Sequence, residues 1–157
     1  MLFELDKVKS KIVDLDSLLF SIYYHDIIYE PTQSDNELQS ALTFEKRISN
    51  TSFINLNKCK IQIEATKEHS FSNNYDTNIL LDLDLIILGQ SHKEYLKYTR
   101  NIRKEYKIYP DFIYRKGRKK VLSKILEKDS IYKTDFFKKR YEYQARKNLT
   151  SELIKLN

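Results

Sequence analysis

Chain breakers are scarce in this sequence. Two glycines and two prolines among 157 residues favour long helices with short connections. A single cysteine, Cys59, excludes an internal disulfide framework and suits a reducing cytosol. Its ordinary role is that of a small buried apolar side chain. Long hydrophobic runs are also missing. The stretches around 18–28 and 79–88 are too short to span a bilayer and carry charges. No signal peptide or membrane partner is expected, and a cytoplasmic location is. The length fits one domain with a real core.

Charge is plentiful and unevenly placed. The net charge of +6 combines 8 Lys+Arg and 14 Asp+Glu in residues 1–92 with 20 Lys+Arg and 8 Asp+Glu in residues 93–157. The basic half could attract a phosphorylated small molecule, or its lysines could simply form solvated helix faces. Tyrosines and phenylalanines interleave with the basic residues, but Tyr95, Tyr98, Tyr106 and Tyr141 follow helical core spacing. No nucleic-acid module pattern is visible, so no nucleic-acid partner is expected.

Periodicity predicts an all-α fold. Helical stretches cover 3–13, 15–28, a segment from Ser34 through Ile48, 77–88, 91–107, 111–127 and 134–155, the first being short, while 53–67 is ambiguous between helix and strand. Ser34 to Glu37 has the spacing of a capping box. Lys60 to Glu64 alternates like a strand, while Leu56, Cys59, Ile63 and Thr66 keep helical spacing. Gly89 reads as a helix terminator, and Pro110 as a residue that a first helical turn accepts.

Two ionisable residues interrupt an apolar stripe. Leu15, Leu18, Leu19 and Ile22 are followed, at helical spacing, by His25 and Asp26. Burying both without partners would cost several kcal/mol. A His–Asp hydrogen bond beneath a loop would satisfy them, and so would a shared metal ion. A second apolar segment, Leu80 to Leu88, contains Asp82 and Asp84. Two residues apart on a helix, these point to different sides.

These stretches resemble the HD superfamily of metal-dependent phosphohydrolases, and within it a bacterial group of predicted phosphohydrolases. The matching residues include Tyr24-His25-Asp26-Ile27-Ile28-Tyr29-Glu30-Pro31, Ser34-Asp35-Asn36-Glu37 with Ser40-Ala41, and Asp82-Leu83-Asp84-Leu85-Ile86-Ile87-Leu88-Gly89. Further matches are Ile102 to Tyr106, Gly117-Arg118 with Val121-Leu122, Ile131-Tyr132 and Ala145 to Leu149. The resemblance runs from about residue 10 to the end of the chain.

The resemblance implies a compact helical bundle of the HD type, with 53–67 a helix, and hydrolysis of a nucleotide or other small phosphate ester. His25, Asp26 and Asp84 would hold a divalent metal: Mn, Mg, Fe, Zn or Ni. Asp84 rather than Asp82 takes the matching position. Asp26 would also help deprotonate water. Glu37 or Asp35 would orient water, unless Ser34-to-Glu37 capping is their whole role. His69 would be a substrate-facing base or a donor behind the ligands, unless it caps a helix end. Arg103, Arg118 and Arg146 would clamp phosphate, unless they pair with Glu105, Glu142 or Glu152. His92 is expected to be exposed near a helix start.

One feature of the family is absent. The histidine that precedes the doublet, in a Y-H-N-x-x-H segment, has no counterpart in residues 1–24. The expectation is one domain, 1–157, lacking its first helix or helices. Such a chain would bind metal weakly and turn over little substrate. A partner chain, for instance in a homo-oligomer, would cover the apolar surface left bare. The alternative is a non-catalytic binding or regulatory protein on the same fold.

Overall fold

The computed structural model describes residues 1–156. Eight α-helices account for the order: α1 Leu2–Asp6, α2 Leu15–Tyr24, α3 Asn36–Ile48, α4 Leu56–Ala65, α5 Tyr75–Asp84, α6 His92–Glu105, α7 Asp111–Leu126 and α8 Asp135–Leu156. Two short 3-10 turns, Lys9–Lys11 and Leu85–Gly89, complete them. No strand occurs among the described residues, so Lys60 to Glu64 is helical despite its alternation. No described helix is long and apolar enough to cross a membrane. The chain divides into two compact units, residues 1–84 and residues from Leu85 onward.

In the first unit, Asp14 starts α2. Its carboxylate accepts from the Ser17 amide at 3.0 Å and the Ser17 hydroxyl at 2.6 Å. Buried Asp76, on α5, accepts from the amides of Val13 and Asp14 at 3.0 and 2.9 Å. That tie docks α5 against the head of α2. Small residues on α2 let α4 come close: the Ser21 hydroxyl reaches Gln62 Oε1 at 2.7 Å, and the Cys59 thiol reaches the Ser17 carbonyl at 3.4 Å. Ala41, Phe44, Cys59 and Ile63 form a buried cluster, ringed by Phe20, Tyr24, Ile48, Phe53 and Leu56. Burial raises the Cys59 thiol above its usual pKa, as befits a core residue.

Two sequence expectations need correcting here. The doublet helix stops at Tyr24 rather than running to residue 28. The His25 ring is the reason. Its Nδ1 donates to the Ile22 carbonyl at 2.8 Å, the acceptor that the Asp26 amide would need for another turn. The capping box is also absent: α3 begins at Asn36 behind Asp35, with no side-chain cap. Asn36 is drawn backwards instead, its amide side chain bonding both the N–H and the carbonyl of Glu30.

In the second unit, the predicted helix over 77–88 gives way to the 3-10 turn at Leu85–Gly89. Gly89 serves close packing and not a left-handed turn. A Cβ there would lie 2.6 Å from Tyr141 Cβ and 2.7 Å from the Tyr132 hydroxyl. Buried Asn148 on α8 donates to the carbonyls of Leu88 and Gln90 at 2.8 and 2.9 Å, satisfying the end of that turn. Its Oδ1 also lies 3.3 Å from Nδ1 of His92, the exposed first residue of α6. Phe137, Tyr141, Ala145 and Leu149 are the rest of the buried stripe of α8.

Candidate metal centre

The end of α2 and the end of α5 supply the centre. The helical turn stops where the His25 ring takes the Ile22 carbonyl, and that bond fixes the tautomer: Nδ1 carries a proton and Nε2 faces Asp26 and Asp84. His25 Nε2 lies 3.4 Å from Asp84 Oδ1 and 3.6 Å from Asp26 Oδ2. One ligand atom from each of His25, Asp26 and Asp84 lies within 4.8 Å of the other two. His25 is buried, while the Asp26 and Asp84 side chains are 56 % and 24 % exposed. The cluster therefore has a closed histidine side and an open carboxylate side.

Electrostatics follow from this crowding. Burial pulls the His25 pKa down, but the hydrogen bond and charge of Asp84, with the charge of Asp26, outweigh it and push His25 up to about 8. Burial would raise Asp84, yet the hydrogen bonds from His25 and His69 hold its carboxyl well below the usual carboxylate range. Asp26 is raised, first by burial and then by the nearby charges of Asp84 and Glu37, against the pull of His25 and His69. Three carboxylates, Asp26, Asp84 and Glu37, and two imidazoles, His25 and His69, thus share one neighbourhood.

The other expected residues are distributed as follows. His69 joins the cluster, its Nε2 2.9 Å from Asp84 Oδ2. Glu37 faces Asp26 electrostatically, while Asp35 accepts from Gln39 at 2.9 Å. Asp82 is wholly buried and outside the cluster. The three arginines lie in the second unit, each with partners. Arg118 holds Glu152 through two contacts, at 2.8 and 3.1 Å. Arg146 pairs with Glu142 at 2.8 Å and reaches the carbonyls of Leu126, Lys128 and Asp129. Arg103 pairs with Asp111 at 2.6 Å, not with Glu105, and also bonds the Tyr106 and Tyr109 carbonyls.

Two contributors had no role assigned to them from the sequence. The Ile22 carbonyl, a backbone atom, carries no sequence signal. Ser40 exchanges hydrogen bonds with the Ile28 amide and carbonyl at 3.1 and 3.2 Å, pinning the segment after the doublet. A hydroxyl beside Ala41 and Phe44 on the buried stripe of α3 was the available clue.

No family model, curated protein or solved structure matches this chain.

Proposed function

We propose that this chain is a metal-dependent phosphohydrolase of the HD type, acting on a nucleotide or another small phosphate ester. The observation that carries the reading is the convergence of His25 Nε2, Asp26 and Asp84, with the His25 tautomer fixed by Ile22. The donor set suits a divalent cation. Two donors each about 2.1 Å from one ion sit roughly 3.0–3.4 Å apart at octahedral or tetrahedral angles, close to the 3.4 and 3.6 Å separations here. One imidazole with two carboxylates is a mixed nitrogen–oxygen shell acceptable to Mn, Fe, Zn or Ni, and less suited to Mg.

A bound divalent ion supplies Lewis acidity toward a phosphoryl oxygen and lowers the pKa of water. The chain's residues do the rest. His25, Asp26 and Asp84 hold the ion. Asp26, whose pKa is raised and whose side chain is more than half exposed, accepts the proton from attacking water. Glu37, whose charge bears on Asp26, is the residue assigned to orient that water.

The rival is a metal-responsive binding protein without turnover. It is favoured by the arginines: all three residues expected to clamp phosphate already hold carboxylates of the chain. A phosphate-release screen over nucleoside mono-, di- and triphosphates, with Mn²⁺, Zn²⁺ or Ni²⁺ added, separates the two. Turnover lost in Asp84→Asn supports the hydrolase. Saturable metal binding with no release from any substrate supports the rival.

A further inference from the structure

We propose that His69 is a positioning residue, which holds Asp84 in the orientation that presents one oxygen to the metal. The inference rests on the metal reading above and adds a role for a residue outside the ligand set.

The backbone makes the first argument. His69 follows the end of α4 at Ala65, and its amide donates to the Ala65 carbonyl at 3.2 Å, closing the helix end. To do so it adopts a φ of 48°, the one positive φ at a non-glycine residue among those described. Left-handed backbone at a helix end is served with less strain by glycine or asparagine. Histidine is uncommon in this region of backbone space, and here the turn brings its ring to Asp84.

The use of that ring is visible in how Asp84 divides its two oxygens. Oδ2 lies 2.9 Å from His69 Nε2, and Oδ1 lies 3.4 Å from His25 Nε2. A carboxylate rotates freely about its terminal torsion unless something holds it. An N–H on one oxygen fixes the plane and turns the other toward the cluster. The group with donor atoms mutually within 4.8 Å is His25, Asp26 and Asp84, without His69. The geometry therefore makes His69 the partner of a ligand and not a ligand. Loss of such an outer partner typically weakens metal affinity about 10- to 100-fold.

Competition titration of the full chain with Co²⁺ or Zn²⁺ against a chromophoric chelator tests this, with melting curves of the same metal-free proteins. His69→Ala should lose about 10- to 100-fold in affinity. His69→Gln bears a similar backbone strain but keeps an N–H donor, and should stay within about threefold of wild type. His69→Asn suits the left-handed backbone but is too short, so its affinity should fall as in His69→Ala while its Tm stays within about 3 °C of wild type. The Co²⁺ visible spectrum of His69→Gln should match wild type, because the ligand atoms are unchanged. Affinity in His69→Ala equal to wild type overturns the inference alone. So does glutamine that rescues nothing, or a Co²⁺ spectrum altered in His69→Gln, which would make His69 a ligand. Wild-type protein that binds neither ion overturns the metal reading beneath it.

Discussion

Glu152 and Asp84 are both carboxylates held by hydrogen bonds, and they are held in opposite ways. Glu152, in the second unit, receives two N–H groups from Arg118 and the hydroxyl of Tyr95. Its side chain is 11 % exposed and that of Arg118 is 9 %. The pair is neutral as a unit, and the guanidinium never gives up its charge. Burial together with the Glu152 charge raises Tyr95 far above its usual pKa, so its proton stays in place. Asp84, in the first unit, is held by two imidazoles, His25 and His69. Asp26 and Glu37 stand nearby as further acids. A saturated carboxylate with a permanent cation builds structure. A carboxylate among other acids, held by neighbouring imidazoles, is the one we propose as a metal ligand.

The largest expected effect breaks the saturated network. Glu152→Gln leaves Arg118 buried beside a neutral partner. The cost should be about 3–5 kcal/mol, seen as a Tm lower by roughly 10 °C. Metal stoichiometry, measured where the variant remains folded, should be unchanged. A Glu152→Gln protein as stable as wild type would remove the distinction between the two sites from one side.

Asp84→Asn attacks the other side. It keeps shape and one hydrogen-bonding oxygen but removes the charge that a cation needs. Metal affinity should fall at least 100-fold, equivalent to about 2.7 kcal/mol, with helical circular dichroism retained. His25→Ala should do the same by removing the nitrogen donor.

Gly89→Ala provides a control in which no charge changes. The added methyl would meet Tyr141 and Tyr132 well inside contact distance. Such overpacking typically costs about 1–3 kcal/mol, so the Tm should drop by less than in Glu152→Gln. Metal binding should be untouched.

The smallest effect concerns Asp14, a carboxylate of the first unit saturated in the manner of Glu152. Burial tends to raise its pKa, but the Ser17 hydrogen bonds and Lys58 outweigh that and lower it from 3.8 to about 2. The folded state therefore binds this proton less readily than the unfolded chain does. Asp14 contributes stability above pH 4 that is lost as pH falls toward 2. Asp14→Asn should flatten acid unfolding in that window, as followed by circular dichroism. An unchanged slope would show that the Ser17 and Lys58 contacts add nothing.

These contrasts also show what the sequence made legible. Helix faces were readable because burial imposes a period: Phe137, Tyr141, Ala145, Asn148 and Leu149 sit on α8 as their spacing requires. The positions of His25 and Asp84 were conspicuous for the converse reason, as ionisable groups on stripes that burial should keep apolar. Helix ends were less readable, because they turn on single hydrogen bonds. The His25 ring takes Ile22's carbonyl and stops α2 early, and Asn36 turns to Glu30 and displaces the Ser34 cap. Partner choice was partly readable. Arg118 and Arg146 pair with two of the expected glutamates, while Arg103 finds Asp111, eight residues along, across the turn between α6 and α7. The division of Asp84's two oxygens was not readable, since it depends on a backbone angle at His69.

The most direct test of the central claim is calorimetric titration of the wild-type chain and Asp84→Asn with Mn²⁺ or Zn²⁺ at neutral pH. The account predicts weak but saturable binding of one ion per wild-type chain, absent from Asp84→Asn while that variant keeps its helical fold. Wild-type protein that takes up neither ion, or equal one-to-one binding by Asp84→Asn, would contradict it.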